Sequence, residues 1–77
     1  MKVKEAVRYL VLLEHAEGSN YSVYVPDLPG CVSTGQTREE VMRNIREAIA
    51  FHIEGMREDG LSIPPPSTEA DYVENVA

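Results

Sequence analysis

Seventy-seven residues, 43% hydrophobic and 26% charged, set the scale of one small soluble globular domain. Seven Lys and Arg against thirteen Asp and Glu leave a formal charge of −6, which argues against a polyanion as the main ligand. Cys31 is the single cysteine, so no internal disulfide can form. No apolar run approaches the ~18 residues of a membrane span and MKVKEAVR has no signal-peptide layout behind it, so composition points to the cytoplasm.

In chain order, Arg8 to Glu14 (RYLVLLE) is apolar on consecutive residues and reads as a first strand, buried on both faces or lying at an interface. Ala16 to Asn20 holds the Gly, Ser and Asn of a hairpin loop. Tyr21 to Val25 then alternates as a half-buried strand does. Pro26 and Pro29 fix φ and remove two ladder donors, so pairing must stop there, and Gly30 can supply the positive φ that reverses the chain. Asp27, between the prolines, is expected to cap this turn by accepting backbone N–H bonds. Cys31 to Thr34 resumes an extended pattern as the third strand of a meander, and Gly35 ends it.

Thr37 with Glu40 three residues later is a capping box that opens a helix. At 100° per residue, Val41, Ile45, Ala48, Ile49, His52 and Met56 fall on one arc, with Met42 and Ile53 at its edge. The helix is expected to end near Asp59, with Gly60 as its left-handed cap. Phe51 stands off the arc on the Asn44 and Gly55 edge. It either tucks under a loop while Gly55 tolerates a close contact, or belongs with Gly55 to a subunit or partner contact. Leu61 to Thr68 (LSIPPPST) cannot be helix or sheet interior, because three consecutive prolines favour polyproline II; it reads as a stiff connector rather than as a proline-rich ligand for another domain, the run being short and internal. Ala70 to Ala77 offers Tyr72, Val73 and Val76 for a last strand, whose acids would suit a sheet edge. The reading is one α+β domain over residues 1–77. A small antiparallel sheet of three to four strands is covered on one face by a single long helix, in the order β-β-β-α-β.

The chemistry-bearing residues do not converge. Glu14 falls at a strand end, Asp27 between two prolines, and the other acids on the outer helix face or in the tail. A two-metal nuclease needs several carboxylates on ions ~4 Å apart, so no catalytic residue is assigned. His15 reads as solvent exposed and His52 as a packed or partly exposed histidine on the apolar arc rather than a ligand. Without H-x-x-x-H or C-x-x-C, no metal or cofactor is assigned. Cys31 has no neighbouring base and reads as a small buried thiol. Charge is distributed unevenly: after Arg57 come Glu58, Asp59, Glu69, Asp71 and Glu74 with no Lys or Arg. Such a segment serves solubility or attracts a basic protein.

Tyr21, Val23, Val25, the run Pro26-Asp27-Leu28-Pro29-Gly30-Cys31, Gly35, Thr37, Glu39 and Glu40 together form a specific string. With Ile45, Ala48, Ile49 and the closing Pro64-Pro65-Pro66-Ser67, it resembles the N-terminal domain of the HicB antitoxin family over roughly Arg8 to Val76. The resemblance implies a partial RNase H-like fold, no catalysis, and a partner that is a small basic HicA-type mRNA interferase toxin. Glu69, Asp71, Glu74 and Phe51, with an exposed strand edge, are the expected partner-binding residues. Pro26, Asp27, Pro29 and Gly30 are expected to shape the turn, and Thr37 and Glu40 to cap the helix. A homodimer or higher homo-oligomer is expected, because RYLVLLE is too apolar for one face of a small sheet. Family members also carry a C-terminal DNA-binding domain, and this chain stops at Ala77, where such a domain would begin. Direct nucleic-acid binding by this chain alone is therefore not expected. The alternative is a stand-alone, self-associating regulatory or ligand-sensing domain of the same fold with no toxin partner.

Overall fold

Three short strands and one helix make up the regular structure of residues 7–76, the part of the chain that the computed structural model describes. They are β1 Leu12–His15, β2 Tyr21–Tyr24, β3 Val32–Gly35 and α1 Arg38–Glu58. The strands form one antiparallel sheet in the order β1-β2-β3. Leu12 pairs with Tyr24 and Tyr24 with Val32; Leu13 pairs with Val23 and Val23 with Ser33. Directly opposed residues point to the same face. Leu13, Val23 and Val25 therefore turn inward under α1, and Leu12, Tyr24 and Val32 turn outward.

The meander follows from turn chemistry. Ser19 N–H donates to the Ala16 carbonyl at 3.0 Å, and Gly18 takes φ 73° in the first hairpin. In the second turn Val25 N–H donates to Cys31 O, Leu28 N–H to Val25 O and Cys31 N–H to Leu28 O. Gly30 takes φ 85°, the left-handed conformation expected of it. These bonds drive Leu28 into the core, where it is completely buried despite lying in a loop.

The first strand is shorter than the sequence pattern suggested. A strand from Arg8 was expected, but the ladder begins at Leu12 because Tyr24 is the last residue of β2. The next position of that strand able to face β1 is Pro26, which has no N–H, so Arg8 to Val11 overshoots its partner strand. The third strand is displaced by one residue, to Val32–Gly35 rather than Cys31 to Thr34, because Cys31 spends its backbone groups on closing the turn.

The helix matches its pattern. Thr37 is the N-cap, and its hydroxyl accepts from Glu40 N–H at 3.1 Å. The Glu40 carboxylate reaches back to Gln36 N–H at 3.2 Å, one residue before the reciprocal partner a capping box would use. At the other end Gly60 (φ 70°) N–H donates to Arg57 O and Leu61 N–H to Met56 O. This pair of bonds is the Schellman closure. Val41 and Ile45 are buried against Val23, Val25, Leu28 and Cys31; Met42, Ala48, Ile49 and Ile53 pack around them.

Gly35 is the tightest point of the helix–sheet contact. A Cβ there would lie 2.6 Å from Val41 N and 2.9 Å from Val41 Cα. Asn44 Nδ2 also donates to Thr34 O at 2.9 Å, fixing the helix to β3.

The expected last strand does not form in residues 70–76, so the sheet holds three strands among the described residues; Ala77 lies outside them. The physical cause lies upstream. The connector is held by the Tyr9 hydroxyl, which donates to Pro64 O at 2.6 Å, and then by Asp27 at the β2–β3 turn. The chain thus leaves past the end of the sheet rather than alongside an edge strand.

Candidate interaction surface

Asp27 organises one end of this surface. Its Oδ2 accepts from Ser67 N–H at 2.9 Å and Thr68 N–H at 3.0 Å. Its Oδ1 accepts from Thr68 Oγ1 at 2.6 Å and Ser67 Oγ at 3.1 Å. Four donors converging on one carboxylate favour its charged form. The Thr68 hydroxyl, then the Thr68 and Ser67 amides, pull the Asp27 pKa from 3.8 down to about 2. The expectation of a local turn cap is therefore corrected: the backbone closes the turn unaided, and Asp27 clamps residues forty positions away. Sequence reasoning passed over Ser67, Thr68 and Tyr9 as tethers, because no short-range pattern announces so distant a contact.

Beyond the clamp the chain carries its acids in the open. Glu69, Asp71 and Glu74 are all exposed, and Tyr72, Val73 and Val76 are 97%, 92% and 93% exposed. Phe51 is 83% exposed on α1, so it does not tuck under a loop, and Gly55 faces open space rather than a close neighbour among the described residues. The first of the two readings of Phe51 is thereby removed. Pro26, Pro29 and Gly30 lie in the turn between β2 and β3, and Thr37 and Glu40 lie at the helix N-terminus. Phe51 projects from the helix, and Glu69, Asp71 and Glu74 lie on the tail.

The sheet face opposite α1 is the second bare feature. Leu12, Tyr24 and Val32 form an apolar row across all three strands, with Val32 63% exposed. Glu14, Ser22 and Thr34 form the next, polar row. On the covered face, His15 stacks on Tyr21 with ring centroids 4.0 Å apart and planes within 4°, so an exposed histidine still packs. Cys31 is buried, and burial pushes its thiol pKa up. His52 is half-buried on the helix. Among the described residues, no three His, Cys, Asp or Glu side chains gather where a metal ion could sit. No helix among them is long and apolar enough to cross a membrane. What the described residues leave exposed is a sheet face, an aromatic on the helix, and an acidic tail held at its root.

Comparison with known proteins bears on what such a surface meets. A family model described as the HicB_like antitoxin of bacterial toxin-antitoxin system matches residues 9–77. An uncharacterized 14.9 kDa protein of Haemophilus phage HP1 is 51% identical over 53 residues, which cover 69% of this chain and 40% of the phage protein. A UPF0150 protein of Thermoplasma acidophilum is 38% identical over 63 residues, 82% of this chain and 91% of the relative. Antitoxin HicB 1 of Photorhabdus laumondii is 38% identical over 69 residues, 88% of this chain and 44% of the antitoxin. The chain therefore spans less than half of the phage and Photorhabdus proteins, and nearly all of the Thermoplasma one.

Proposed function

The chain belongs to the HicB-like antitoxin family of bacterial toxin–antitoxin systems, and we propose that it binds and neutralises a small basic HicA-type mRNA interferase toxin without catalysis of its own. The acidic tail supports this most directly. It places Glu69, Asp71 and Glu74 in solvent beside the exposed Tyr72 and Val73, on a chain of charge −6. A toxin that cleaves RNA must attract a polyanion, so it presents cationic surface. An acidic segment competes for that surface and speeds the encounter. Phe51 supplies an aromatic anchor of the kind that dominates contact energy once desolvated. The protein acts in the cytoplasm, where its target is made, and works as a homodimer or higher homo-oligomer; recognition of nucleic acid is not assigned to these residues.

Co-expression with a short basic reading frame beside its gene should restore growth and give a complex that survives purification at low salt. Replacing Glu69, Asp71 and Glu74 together by Lys should abolish that complex and leave the fold intact. Purified partners that fail to associate at low salt would sink the reading. In that event the stand-alone, self-associating domain is what remains.

A further inference from the structure

We infer that self-association runs through the tail: residues 70–76 of one copy add as a strand along Arg8 to Val11 of a second. This rests on the homo-oligomer proposed above and names its contact. Arg8 to Val11 has no regular structure of its own, precedes the ladder that starts at Leu12, and lines a groove of its own. Among the described residues its backbone groups bond to no strand. Its side chains Tyr9, Leu10 and Val11 are only half-buried. A row of open N–H and C=O groups beside apolar side chains is a template for one more strand.

The tail fits as occupant. It lies outside any helix or strand, carries Tyr72, Val73 and Val76 almost wholly exposed, and holds no Gly or Pro from Glu69 to Val76 to turn it back. Its own groove is denied to it, because the Tyr9–Pro64 and Asp27–Thr68 contacts carry its root past the end of the sheet. A second copy offers the same groove without that constraint, and reciprocal exchange closes a symmetric pair. Charge agrees with this pairing: Arg8 lies at the groove, while the tail brings Glu69, Asp71 and Glu74.

The test is Val73→Pro in the full chain. The proline removes a ladder donor at a residue 92% exposed within its own chain, so helical circular dichroism should be unchanged. Light scattering should show dimerisation about thirty-fold weaker, from one ladder hydrogen bond lost in each copy. An equimolar mixture of Arg8→Cys and Val73→Cys proteins should form an interchain disulfide on mild oxidation, since the native Cys31 is buried. A dimer indifferent to Val73→Pro and no cross-link in the mixture would overturn the exchange while leaving self-association standing. A wild-type chain monomeric at every accessible concentration would overturn both, and leave toxin capture to its own test.

Discussion

Substituting Gly35 by alanine tests the packing argument most sharply, because two effects of opposite sign compete. Gly35 has no positive φ, so on conformational entropy alone Ala should stabilise the fold by ~0.4–1 kcal/mol. The structure reverses that sign. The new Cβ would meet Val41 N at 2.6 Å, Val41 Cα at 2.9 Å and Val41 Cβ at 3.1 Å. Ordinary contact begins near 3.4 Å, so helix and strand must part by roughly 0.8 Å. Neither side yields easily. Val41 N–H is bonded to Thr37 O, the Thr37 cap lies one turn away, and Asn44 ties the helix to Thr34. Overpacking against backbone of this kind costs ~1–3 kcal/mol. A net loss of about 2 kcal/mol would be a large part of the ~4–12 kcal/mol expected for a domain this size. It would lower Tm by about 10–15 °C. Urea and thermal unfolding followed at 222 nm would measure it. A Gly35→Ala protein as stable as wild type, or more so, would refute the close-approach argument.

Three further expectations follow from named contacts. Because the Asp27 pKa is lowered in the folded chain, from 3.8 to about 2, tail docking should be complete above that ordinary value and be lost as pH falls through about 2. Hydrogen exchange at the Ser67 and Thr68 amides would follow it, and Asp27→Asn should deprotect both amides at neutral pH while the core keeps its protection. Ile45→Ala should cost about 2–4 kcal/mol in urea unfolding, since the side chain is 1% exposed, whereas Phe51→Ala, at 83%, should change stability by less than ~0.5 kcal/mol. Thr37→Ala should remove ~1 kcal/mol by the same measurement, through the lost bond to Glu40 N–H.

The helix was the most legible element, and the reason is local. Its cap, apolar arc and terminal Gly60 lie within one continuous run, and each acts over three or four residues. The turn was legible for the same reason, since Pro26, Pro29 and Gly30 carry their constraints in their own rings and backbone. Strand boundaries were harder. Where β1 begins depends on where β2 stops: Pro26 has no N–H to offer, but which residue of the first strand it would have faced is a matter of register rather than pattern. The tail was misread through a contact of still longer range. Tyr72, Val73 and Val76 suit a strand, but whether they join this sheet is decided by Tyr9 on Pro64 and Asp27 on Thr68. Both contacts cross most of the chain, and no local spacing encodes them. The open sheet face was half visible: Tyr24 and Val32 fall out of phase with the buried Val23 and Val25, but their alignment with Leu12 needs the register.

The clamp at Asp27 gives the tail its physical interest. A wholly free segment of eight or nine residues would lose ~1–2 kcal/mol of backbone entropy per residue on being ordered by a partner. Such segments therefore bind weakly for the surface they cover. Here the root is already held, by the Tyr9 hydroxyl on Pro64 O on one side and four hydrogen bonds to one carboxylate on the other. Only the residues after Thr68 lie beyond these bonds, and their starting point is held. Anchoring of this kind lowers the cost of association without adding a contact. It also places a single carboxylate in control: Asp27→Asn should weaken any partnership made through the tail while leaving the Val41–Ile45 core as stable as before. If both partner binding and self-association survived that substitution unchanged, neither could depend on how the tail is held.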